Sequence, residues 1–209
     1  MQKTNRPFDL ALWIKENYLK IIIFFLVVYL FFAFIAPVLM KLGSPTFGKL
    51  IYRYYSNLCH QYAYRSWFLF GEQSYYPLET GGDFLSVSQV FEIQPGQHEN
   101  TRAMIGNSRA GYKVAICQRD VALYSALLAF TVIFSVMKKD INKLPFLVWI
   151  ILGVFPIGLD GLIQLASSYQ IFSLNYESSP LMRSITGAAF GFFSGWLLLP
   201  AIEDTLKDE

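Results

Sequence analysis

Cysteine and histidine are scarce in this chain, with two of each among 209 residues, and no Cys-x-x-Cys pair occurs. That rules out a paired-cysteine zinc cluster and weakens any thiol-redox reading, because neither cysteine has the neighbour that lowers a redox thiol's pKa. Charge is scarce too: charged residues make up 15% and hydrophobic residues 54%, too apolar for an ordinary soluble domain. A net charge of +2, with basic residues scattered or at segment ends, excludes nucleic acid as a partner. There is no low-complexity tract and no repeat of fixed period.

What the chain does have is long apolar runs. Residues 21–40, "IIIFFLVVYLFFAFIAPVLM", are long enough to cross a hydrocarbon core of roughly 30 Å. They are too long for a signal-peptide core, and no small-residue cleavage site follows them, so a retained helix is expected. Residues 144–166 and 181–202 make two further spans, and 121–137 makes a fourth if it borrows the apolar "YKVAIC" before it. The fold expected is therefore an all-α membrane protein of four transmembrane helices, one membrane domain over 1–209.

Basic flanks set the orientation. Lys3, Arg6, Lys15 and Lys20 precede the first span, and Lys138, Lys139 and Lys143 lie between the second and third. The connection "SSYQIFSLNYESSP" has no Lys or Arg. The positive-inside rule puts both termini in the cytoplasm of a plasma-membrane protein and the connection 41–120 outside. In that connection "FGKLIYRYYSNLCHQYAYRSWFLF" reads as an outer interfacial helix. Residues 71–111 read as a small external lid containing one strand-like run, "FLSVSQVFEI".

Polar residues at the edges of apolar spans are costly unless paired or solvated, at about 2.5–3.5 kcal/mol each at a helix centre. Under this topology they all go to the outer boundary. Cys117, Arg119 and Asp120 open the second span; Asp160 and Gln164 share a face of the third; Glu177 and Arg183 begin the fourth; Cys59 and His60 lie in the interfacial segment. Pro156, Gly158 and Gly161 surround Asp160 and predict a broken helix at a cavity. His98 reads as a solvated loop residue, and Gly187, Gly191 and Gly195, four apart, as a helix-packing stripe.

Three chemistries fit these residues. Cys59, His60, Cys117 and Asp120 form a ligand set suited to zinc, with Asp160 as a further ligand or general base and Gln164 beside it. Cys59 and Cys117 could instead form a disulfide on the oxidising side, stapling an accessory subunit of a larger membrane complex. Arg119 and Arg183 could hold an anionic lipid headgroup or small molecule. Whether the protein is an enzyme is left open at this point.

The stretches "NLCHQYAYRSW", "IGNSRAGYKVAICQRDVALY", "FPIGLDGLIQL" and "YESSPLMRSITGAAFGFFSGW" together resemble domain of unknown function family 2085, a family of bacterial and archaeal membrane proteins. The family's pattern falls on Cys59, His60 and Arg65; on Cys117, Arg119 and Asp120; on Asp160, Gly161 and Gln164; and on Arg183, Thr186 and Gly187. The resemblance implies that these residues form one site, without implying an activity. It also implies that cysteine replaces Asp120 in some members, an exchange that metal ligands tolerate.

Overall fold

The computed structural model describes residues 9–78, 83–93, 98–137, 139–169 and 176–208. Of the expected basic flank residues, Lys3, Arg6 and Lys138 lie outside that description, as does the side chain of His98.

Four helices are long and apolar enough to cross a membrane, as the hydropathy predicts. The first, α1 (Leu10–Lys41), starts at Asp9, whose carboxylate accepts from the N–H groups of Ala11 and Leu12 at 3.0 and 3.2 Å. After three residues the chain enters α2 (Pro45–Tyr55), with proline at the first helical position, where no N–H is needed. Strand β1 (Ser66–Leu69), the short helix α3 (Val87–Phe91) and strands β2 (Gly106–Asn107) and β3 (Gly111–Cys117) follow. The second long helix is α4 (Gln118–Val136). The third consists of α5 (Phe146–Trp149), a π-helical turn (Ile150–Val154) and α6 (Phe155–Ser168), and the fourth is α7 (Pro180–Asp208). Large apolar side chains such as Phe24, Phe25, Phe31, Phe155 and Leu162 project outward, as lipid-facing positions should.

Three local expectations are corrected. "YKVAIC" does not extend the second span: it forms β3, the centre of an antiparallel sheet ordered β1-β3-β2. "FLSVSQVFEI" is not a strand. Ser86 and Gln89 form a reciprocal capping box that starts α3 instead. The interfacial helix stops at Tyr55, which leaves Cys59 and His60 in a turn after it.

The third long helix is not broken at Asp160: it carries a π-helical turn ahead of Pro156, and α6 runs past Asp160 without interruption. Pro156 has no N–H to continue the ladder, and the wide turn just before it absorbs the missing bond. The glycine stripe works as packing: a Cβ at Gly187 would lie 2.4 Å from the Arg119 carbonyl oxygen, and one at Gly191 2.1 Å from that of Leu123. So α7 lies directly on the backbone of α4, and this is the most extensive contact between elements. Of the 71–111 segment, Tyr76, Val87, Val90 and Ala110 bury against Tyr64 and Phe68.

The up-and-down order brings the end of α1, the start of α4, the end of α6 and the start of α7 to one end of the bundle. At the other end the Tyr18 hydroxyl donates to Glu203 at 2.8 Å and Lys139 pairs with Glu203 at 2.7 Å.

Candidate metal and anion site

Cys59 is positioned by the turn after α2. Its N–H bonds to the Tyr55 carbonyl at 2.9 Å. Two residues on, Gln61 adopts a left-handed backbone (φ 56°), which costs a side chain roughly 1–2 kcal/mol. Tertiary bonds hold it there. The Gln61 side-chain amide donates to the carbonyls of Tyr52 (3.0 Å) and Ala115 (2.7 Å). The buried Lys113 ammonium donates to the Gln61 carbonyl at 2.5 Å and to that of Arg102 at 2.8 Å. Together these bonds dock the turn on β3, whose last residue is Cys117.

Cys117 also begins α4 as its N-cap, with Asp120 in the first turn. One ligand atom each from Cys59, Cys117 and Asp120 lie within 4.8 Å of one another. Both cysteines are free thiols. The Cys117 thiol hydrogen-bonds to Cys59 and holds its pKa down against burial; the same bond, with burial, pushes Cys117 well up.

His60 does not join this group. Its exposed ring stacks on Tyr62, with centroids 5.8 Å apart and planes 10° from parallel. Adjacent side chains diverge, so Cys59 joins the ligand group while His60, exposed, borders the same cavity without joining it. The ligand set expected from the sequence thus contracts to two thiols and a carboxylate.

The charged residues form two knots. Asp160 is buried and accepts from Tyr176 (2.7 Å) and Ser178 (2.9 Å) while it pairs with Arg119. Glu177 takes a two-pronged grip from Arg65 (3.0 and 3.1 Å), pairs with Arg183, and accepts from Gln164 at 2.6 Å. Arg183 also donates to the Tyr64 carbonyl and to Gln118, each at 3.1 Å. The Nε atoms of Arg119 and Arg183 are buried, and within the described residues neither has a hydrogen-bond partner.

A cavity of about 240 Å³ joins the parts. Cys59, Cys117 and Asp120 line it together with Arg65, Arg119 and Arg183; His60 and Gln164 line it too. Of the residues singled out from the sequence, Asp160 does not line it: its carboxylate is engaged by three donors behind Arg119. Among the described residues, none of segment 71–111 lines it either, so that segment braces the sheet beside the site. Sequence reasoning placed Glu177 near the boundary without seeing that it binds two arginines. It missed Gln118 and Lys113, whose only signal is a polar side chain next to an apolar run.

The model of the family described as predicted membrane protein, domain of unknown function family 2085, matches residues 106–197. The resemblance read from the motifs holds over that segment, which runs from β2 through the third long helix and most of α7. An uncharacterised protein of Methanocaldococcus jannaschii is 28% identical over 192 residues, covering 89% of this chain and 92% of its own. No solved structure matches.

Proposed function

We propose that this multi-pass membrane protein binds a divalent metal of the zinc class through Cys59, Cys117 and Asp120, with an anionic ligand held beside it by Arg119 and Arg183. The observation that carries the reading is the convergence of two thiols and a carboxylate within 4.8 Å. A tetrahedral zinc site with Zn–S bonds of about 2.3 Å has ligand-to-ligand edges of roughly 3.8 Å, so this donor set closes on an ion with small adjustments. Three protein ligands leave a fourth position open, as in catalytic rather than structural zinc sites.

Two thiolates and a carboxylate around a divalent ion carry net negative charge, and the three guanidiniums lining the cavity offset it. Arg119 and Arg183 line the cavity, so an oxyanion there would meet guanidinium donors on its wall. A bound metal of this class polarises such an anion or activates a water, the basis for hydrolysis or group transfer on a lipid or other anionic substrate. In this scheme Asp160 fixes Arg119 and Gln164 fixes Glu177, so both are positioning residues. The lysine-rich opposite end supports an outward-facing cavity in a plasma membrane. A second reading, a disulfide-stapled accessory subunit, is favoured by the contact between the same two thiols.

Elemental analysis of detergent-purified protein, paired with thiol counting after denaturation, separates the two. About one metal per chain with both cysteines alkylatable is expected, lost in Cys59→Ser, Cys117→Ser and Asp120→Ala and retained in His60→Ala. Absence of metal, with no thiol free until reductant is added, would establish the staple and sink the metal reading.

A further inference from the structure

A second cavity, of about 440 Å³, shares Gln61 with the first and otherwise has its own lining. Three cationic side chains border it: Lys49 and Arg53 from α2, and Arg102 from the segment leading into β2. Among the described residues no Asp or Glu lines it. Arg102 is aimed there by a bond from its Nη2 to the Ser56 carbonyl at 2.8 Å. Lys49 and Arg53 are exposed, and among the described residues neither side chain has an ion-pair or hydrogen-bond partner.

The faces of α2 set the depth of this cavity in the membrane. Gly48, Tyr52 and Tyr55 are buried against the protein. Phe47, Leu50 and Tyr54 form a second stripe, each about two-thirds exposed although apolar or aromatic. Lys49 and Arg53, four residues apart, form a third. A helix with one apolar face free and a basic face beside it lies in the membrane interface, its apolar side in the acyl boundary and its cations among the headgroups. Position in the chain agrees, since only residues 42–44 separate α2 from the end of α1, where the first span leaves the hydrocarbon.

We infer that this cavity binds the phosphate of an anionic phospholipid headgroup, with Arg53 and Arg102 gripping its oxygens and Lys49 adding a point charge. The site is separate from the metal cavity, and the inference stands whether or not a metal binds there.

The test is the thermal stability of the full chain in neutral detergent, titrated with phosphatidylglycerol, with phosphatidylcholine, or with inorganic phosphate at matched concentrations. Phosphatidylglycerol should raise the midpoint by a few degrees, an effect that shrinks at high salt, while the other two leave it in place. In Lys49→Gln/Arg53→Gln, roughly tenfold more phosphatidylglycerol should be needed for half the shift. Lys15→Gln/Lys20→Gln, at the opposite end, should respond as wild type does. Should the first variant fail to fold, Arg102→Gln serves in its place. Equal responses in wild type and the cavity variant, or no response in wild type, would overturn the inference. An equal shift with inorganic phosphate would overturn the lipid assignment in favour of a free-phosphate site.

Discussion

Lys113 shows how one buried charge organises the site at the residue scale. Fully buried, it ties the turn bearing Cys59 to the strand bearing Cys117, and burial pushes its pKa down to about 7 from 10.5. Between those values the unfolded chain holds a proton that the folded chain has released, so stability should rise with pH across that window and level off below 7. Lys113→Met should flatten the rise, as read from thermal midpoints of the two proteins over the window. An identical slope in both would show that another group sets it. The substitution should also lower the midpoint overall, because the Gln61 and Arg102 carbonyls lose their buried donor. Asp160 illustrates the converse. The sequence marks it as the most conspicuous intramembrane charge, and in the fold its carboxylate is engaged by Tyr176, Ser178 and Arg119.

Among the elements, the contact of α7 with α4 decides where the first-turn residues Arg119 and Arg183 come to rest. Gly187 and Gly191 let the two backbones meet, Gly195 lies against the Phe130 and Leu127 side chains, and at Gly191 a methyl group would run into a carbonyl. Gly191→Ala should therefore destabilise by about 1–3 kcal/mol through overpacking. Gly158→Ala, where an added Cβ meets nothing within 4 Å, should be neutral or stabilise by about 0.5–1 kcal/mol. Thermal unfolding of the two variants checks the contrast, and equal effects would mean the helices can separate slightly at little cost. The short elements follow a different logic. In α3 the capping box overrides the apolar alternation that made the same residues look like a strand.

For the molecule as a whole, the even number of spans puts the start of α1, the end of α7 and residues 139–143 at one end and both cavities at the other. With Cys59 and Cys117 replaced by serine, single cysteines introduced by Asn57→Cys and Lys143→Cys should react oppositely with a membrane-impermeant maleimide on intact cells. Asn57→Cys should label from outside and Lys143→Cys only after lysis. The reverse pattern would turn the cavity lined by Cys59 and Cys117 toward the cytoplasm and invert the orientation taken from the lysine flanks.

Span number, relative orientation of the helices and the list of boundary residues were determined by the sequence alone, because hydropathy and basic flanks act locally and at low resolution. The glycine stripe was legible for the same reason: a spacing of four residues is a property of one helix. Which residues meet in one cluster could be decided only by tertiary structure. His60 and Cys59 are equivalent by spacing, and only the turn docked by Gln61 and Lys113 brings Cys59 into the cluster and leaves His60 exposed. Glu177 lies in a connection with no periodicity to orient it, so its grip on Arg65 and Arg183, 112 and 6 residues away, became visible once the chain was folded. Cluster geometry is a long-range property, set by backbone hydrogen bonds between segments that no local pattern connects.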